Sequence, residues 1–191
     1  LVNVLSASAE IQYALDEEDT EEIKAIAQEL SHPEIIAERV ESLKKALPEK
    51  PLENVENMLL YLERLDFIGD ILPQQIKDAS RFVKKLSAPL KAQTSGEYEK
   101  LAVYFVYRYF LKAVRDFDLL SKIKAMIVFV FAAEIINLSR EQDAHARFET
   151  VKELCKEIEY SGDNMDRIYD DSYLSDIFSD TSMLALLEWT L

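Results

Sequence analysis

"IKAMIVFVFAAEIINL", residues 123–138, is the stretch whose reading decides the fold. It is apolar nearly all round, with Lys124 and Glu134 its only charges, so a helix built on it has to be surrounded either by protein or by lipid. A bilayer core takes about 20 apolar residues, and this run is shorter and carries two charges. It is therefore expected as a core helix, with the rest of the chain wrapped around it.

Working outward, "YFVYRYFLKAVRD" at 104–116 precedes it and ends at an Asp116-Phe117-Asp118 break, where Asp118 can cap the helix that follows. Thr94 and Glu97 have capping-box spacing, which predicts a helix from about 95 to Val114. The two segments make a buried helical hairpin over about 95–138. Ser139 and Gln142 have the spacing of another capping box, opening a helix whose Phe148, Val151, Cys155 and Ile158 share a face and which ends near Ser161-Gly162. Beyond it, "DNMDRIYDD" and "DSYLSDIFSDTSMLALLEW" read as a short and a longer helix.

On the N-terminal side, Ile23, Ile26, Ala27 and Leu30 mark one helical face, and Ile36, Val40, Leu43 and Leu47 a second beyond Ser31-His32-Pro33. Val55, Leu59, Leu62 and Leu65 mark a third; Ile76, Ala79, Val83 and Leu86 mark a fourth, with Pro73 in its first turn. "SAPLKAQTSGE" at 87–97 loses the period and reads as a linker between an N-terminal helical subdomain, 1–88, and a C-terminal helical core, 95–191, unless the whole is one compact domain. With no strand-like alternation, the expected class is all-α, an irregular bundle of about eight helices.

Composition narrows the function. Among 191 residues, 36 acidic against 22 basic give a formal charge of −14, which repels phosphate backbones and favours a basic protein partner over nucleic acid. One cysteine, Cys155, allows no internal disulfide and no cysteine-ligated metal centre within the chain. Gly69, Gly96 and Gly162 stand too far apart for a phosphate-cradling loop. Glu29 and His32 match a di-iron spacing once, but His145 lacks the second glutamate, so no metal is expected. His32 reads as a helix C-terminal residue and His145 as a surface side chain. The start at Leu1, without a signal-like segment, suggests a cytoplasmic protein or a piece of a longer one. No membrane insertion is expected, and no GxSxG turn is present.

A guanidinium inside "YFVYRYF" should not be left unpaired. Arg108 is therefore expected in a buried polar network with Glu134, Glu159 and Asn164, with Glu159 or Glu134 as its direct partner. Such a pair fixes helix register or lines a polar pocket.

"YFVYRYFLKAVRDFDLLSKIK", 104–124, followed by "CKEIEYSGDNMDRIY", 155–169, resembles the C-terminal helical region of the flagellin lysine N-methylase family. "MLLYLERLDFIGDIL", 58–72, is a weaker echo of the family's middle. The positions that match are Tyr104, Phe105, Arg108, Tyr109, Phe110, Asp116, Asp118, Glu159, Ser161 and Asn164. Three depart: Phe117 stands at the turn glycine, Tyr160 at a histidine, and Gly162 at a commonly acidic position. The family's cysteine-rich N-terminal cluster, taken to hold an iron–sulfur centre, has no counterpart here. The resemblance implies methyl transfer from S-adenosylmethionine to a lysine of bacterial flagellin. It implies Glu159, Tyr160 and Tyr104 as chemically eligible groups, and inactivity without an upstream cysteine-rich segment. The alternative is a non-enzymatic acidic helical module that binds a basic protein.

Overall fold

The computed structural model describes residues 1–45, 51–87, 95–140 and 143–190. Among them there is no strand; the chain is all-α. Ten helices follow in order: α1 Val2–Asp16, α2 Thr20–Glu29, α3 Pro33–Lys44, α4 Pro51–Leu62, α5 Ile71–Val83, α6 Ser95–Asp116, α7 Leu120–Arg140, α8 Ala144–Leu154, α9 Gly162–Leu174 and α10 Asp180–Thr190. A π turn, Cys155–Glu159, joins α8 to α9, and a 3₁₀ turn, Asp176–Phe178, precedes α10.

The apolar stretch is the axis of the fold. Every residue of α7 from Ser121 to Asn137 is buried, because α1, α5, α6, α8, α9 and α10 all pack against it. A helix so enclosed has no polar face to show, which is why its sequence lacks one. Burying Phe129, Phe131, Ile127 and Ile136 stabilises by about 2 kcal/mol each relative to exposure. α4 closes the core by packing on α5 and α10, so a single apolar cluster runs from Val2 to Leu187 and draws on both halves of the chain. Of the expected linker, 87–97, residues 88–94 lie outside the described residues, and with them Thr94 and its capping box, while Ser95–Glu97 already belong to α6.

α2 and α3 lie at the edge of this core, reached by Leu43 of α3. Only Ile26 of their two expected apolar faces is buried, and Leu47 falls outside the described residues. What holds α3 to α1 is partly ionic: Arg39 donates to both carboxylate oxygens of Glu10, with Nη2–Oε2 at 2.7 Å.

Several expectations are corrected. α1 carries no recognised face in the sequence because it buries Ser8 and Gln12 beside Leu5 and Ala14, which blurs the apolar period. Ser139 is no cap: α7 runs on through Arg140, Ser139 Oγ turns back to donate to Ile136 O, and Asp143 caps α8 by accepting from Ala146 N at 2.9 Å. Gln142 lies outside the described residues. Phe148 is exposed and Cys155 only half-buried, since the π turn changes the facing of the residues around it. His32 stands before the first turn of α3, with its Nδ1 3.4 Å from Glu34, rather than acting on the end of α2. The break in the last segment falls at Ser175–Ser179, not at Ser172.

Candidate functional site

The C-terminal half of α6, the π turn and α9 converge on a strip of polar and aromatic side chains. At its centre is Glu159, whose side chain is fully buried at the end of the π turn. The turn is closed by Tyr160 N donating to Cys155 O across five residues at 2.9 Å. In this wider turn Glu157, Ile158 and Glu159 are all buried in succession.

A single oxygen, Glu159 Oε1, accepts from two phenols on α6, Tyr104 Oη at 2.8 Å and Tyr109 Oη at 2.9 Å, and is ion-paired with Arg108, whose Nε stands 2.8 Å away and donates to Tyr109 Oη at 3.4 Å. Tyr104 and Arg108 share a helix face at i and i+4, and the Tyr109 phenol, one step further round, reaches the same oxygen through the length of its ring. Burial, reinforced by the Glu159 carboxylate, lifts the Tyr104 phenol far above its usual range and the Tyr109 phenol to about 12. Both phenols therefore stay protonated and act as donors. The Cys155 thiol is pushed up to about 12, by burial first and by Glu159 second. It is no thiolate.

Arg108 is corrected from a buried to a half-exposed cation. Its side chain is 40% exposed, and the buried member of the pair is the carboxylate. Its guanidinium carbon stands 5.8 Å from the ring centre of Tyr104, 5.7 Å from Tyr109 and 5.3 Å from Tyr160. Tyr160 itself is largely exposed. Phe105 stacks on Tyr109 and packs on Phe129 of α7, anchoring the strip to the core.

A second group continues the strip at the α6–α7 turn. Lys122 Nζ lies 2.8 Å from Asp116 Oδ2 and 3.4 Å from Asp118 Oδ2, over the ring of Tyr169. Tyr173 donates to Asp118 Oδ1 at 2.7 Å, and Ser121 N donates to the same oxygen at 3.2 Å, so Asp118 does cap α7. The Tyr169 phenol is raised by burial first and then by Tyr109 and the carboxylates of Asp118, Asp116 and Asp166. Phe117, at the turn, adopts φ 56°, a left-handed conformation that favours glycine. Gln12 of α1 clamps this turn: its Nε2 donates to Phe117 O at 2.9 Å, and its Oε1 accepts from Leu119 N at 2.8 Å and Leu120 N at 3.3 Å.

The expected four-residue network divides into three places. Glu134 joins neither Arg108 nor Glu159; it is buried in α7 with neither oxygen hydrogen-bonded among the described residues, and burial raises its carboxyl to about 8. Asn164 works on a different loop, accepting from Asp66 N at 3.0 Å and donating to Asp66 O at 2.7 Å and Glu157 O at 2.9 Å. Glu157 holds the same loop through Ile68 N at 2.7 Å and Gly69 N at 3.3 Å. A Cβ at Gly69 would stand 3.0 Å from Glu157 Oε1, so the approach is close. Ser161 caps α9 at Asn164 N. The side chain of Phe110 lies outside the described residues.

Sequence reasoning missed Lys122, Tyr169, Tyr173 and Gln12 as members of the strip, and named Tyr109 only as a position that carries the family resemblance. Tyr109 was legible from its place beside Arg108. Gln12 left no signal, since its partners lie more than a hundred residues away.

Among the described residues no group of three or more His, Cys, Asp and Glu side chains could hold a metal ion, and no helix is long and apolar enough to cross a membrane. Family models, curated proteins and solved structures give no match to this chain.

Proposed function

We propose that this chain is the helical C-terminal portion of a lysine N-methylase-like protein, acting on a lysine of a flagellin-like substrate together with an upstream segment. One observation supports the reading most: Tyr104, Arg108 and Tyr109 of the first matching stretch and Glu159 of the second, fifty residues apart in sequence, meet on one carboxylate oxygen. A lysine ε-amine needs a carboxylate and electron-rich rings to position it, and this is the part of the chain that supplies them. On this reading Glu159 Oε1 faces the lysine nitrogen, while the protonated Tyr104 and Tyr109 phenols hold the carboxylate in place as positioning residues.

The residues present do not fit the family's other groups. One half-buried cysteine with its thiol raised to about 12 cannot serve an iron–sulfur cluster, which takes about four thiolates. The cleft beside Tyr109, lined by Phe105, Lys122 and Met126 among others, holds about 10 Å³, space for no more than one water. It is too small for S-adenosylmethionine, and the clefts of about 390 and 550 Å³ along α6 are lined by none of Tyr104, Arg108, Tyr109 and Glu159, so this chain alone is expected to be inactive.

The test is the complete reading frame. About four clustered cysteines upstream of Leu1 are expected, and a frame without them overturns the methylase reading. The second reading, an acidic module for a basic protein, rests on the −14 charge. It predicts binding that weakens steeply with salt and needs no upstream segment.

A further inference from the structure

The cluster around Glu159 has the parts of a cation-binding cage, and one of its parts is out of place. Three tyrosine rings surround one point at 5.3–5.8 Å, within the range of cation–π attraction. A carboxylate closes the bottom. The carboxylate is wholly buried, yet the cation on it is 40% exposed and comes from the helix that carries two of the rings. A guanidinium meant only to neutralise a core carboxylate would be expected to share its burial. Here it lies across the mouth instead.

We propose that Tyr104, Tyr109, Tyr160 and Glu159 form a site for an alkylammonium group, and that Arg108 occupies this site as an internal stand-in which a ligand's lysine side chain displaces. The exchange is balanced in charge. One monovalent cation leaves Glu159 for solvent as another arrives, so the buried carboxylate is never left unpaired, the outcome that would make opening the site costly. Arg108 is on an exposed face of α6, so its side chain can swing into water without unfolding anything. Tyr160, largely exposed at the end of the π turn, is the wall that a ligand meets first.

The same geometry sets a preference. Arg108 Nε stands 2.8 Å from Glu159 Oε1 as an ion pair and donates to Tyr109 Oη at 3.4 Å, so a replacement has to bring both a closely approaching charge and an N–H. A primary ammonium does; a quaternary one offers only its charge to the rings. The cage is thus expected to favour lysine, or lysine with an N–H remaining, over trimethyl-lysine. The inference takes from the methylase reading only that the natural ligand is a lysine, and it needs no upstream segment.

The experiment uses this chain with n-butylammonium as the lysine-side-chain probe and tetramethylammonium as the quaternary comparison, followed by calorimetry and by tyrosine ring resonances. Arg108→Ala is expected to bind n-butylammonium at least about ten-fold tighter than the parent chain, the scale of one desolvated cation contact. Tetramethylammonium should bind more weakly to the same variant. Arg108→Ala/Tyr160→Ala should lose most of the gain. A folded Arg108→Ala that binds n-butylammonium no tighter than the parent, or a double variant that binds as well as the single, overturns the proposal. If Arg108→Ala does not fold alone, recovery of its melting transition by n-butylammonium supports the site, and no recovery overturns it. The reading frame upstream plays no part in this measurement. A missing cysteine cluster would therefore end the methylase reading and leave the cage standing, while a failed binding test would end the cage, and with it the placing of lysine on Glu159, and leave the family reading to the upstream frame.

Discussion

Phe117 shows how one backbone angle carries information that a side chain hides. At φ 56° an L-residue brings its Cβ close to the following carbonyl, at a cost of about 1–2 kcal/mol that glycine escapes. The ring is 64% exposed and recovers little by burial, so glycine's entropy cost of about 0.5–1 kcal/mol is the main offset. Phe117→Gly is expected to stabilise the chain by about 1 kcal/mol, a rise of about 2–4 °C in melting temperature by calorimetry. A fall would mean that the ring makes contacts that matter more than the strain. The sequence marked the position as a departure from a glycine, but the need for glycine is only visible as a dihedral angle.

Elements are joined here by side chains far from them in sequence. The start of α7 is held by Asp118, a local cap that spacing revealed, and by Gln12 from α1, which nothing local revealed. Removing Gln12 leaves the buried Leu119 N–H without its acceptor and Phe117 O without its donor. Gln12→Ala is expected to cost about 1–3 kcal/mol, read as a lower midpoint in urea at unchanged slope. A shift below about 0.5 kcal/mol would show that water replaces the amide. The π turn works at the same scale. Periodicity placed Phe148 and Cys155 on the buried face of one continuous helix, and one extra residue in a turn moved that face to Thr150, Leu154 and Ile158. It also carried Glu159 inward to meet α6.

At the scale of the whole molecule, six helices pack around α7, Glu134 is buried within it, and burial is the sole cause of its raised carboxyl. With a folded value of about 8 against an ordinary 4.5, the folded chain keeps a proton that the unfolded chain has released between those two pH values. Stability from this group is therefore present at low pH, falls by about 1.4 kcal/mol per unit as pH rises through the window, and levels off above about 8. Glu134→Gln should flatten that slope, so urea melts at pH 5 and pH 8 should show the variant gaining on the parent chain at pH 8. An equal difference at both pH values would mean that Glu134 is ionised throughout. What the sequence determined by itself is the class and the axis: residues 123–138 are too apolar to sit anywhere but the centre, and the hairpin with 95–116 follows from the Asp-Phe-Asp break. It also pointed to Glu159 or Glu134 as the partner of Arg108, because a cation in an aromatic run calls for an anion. Only the tertiary structure decided that Glu134 is no part of that pair, that Asn164 serves another loop, and that the carboxylate rather than the guanidinium is buried. Periodicity reports the local facing of a helix, whereas these outcomes depend on which distant residues fill the space opposite it.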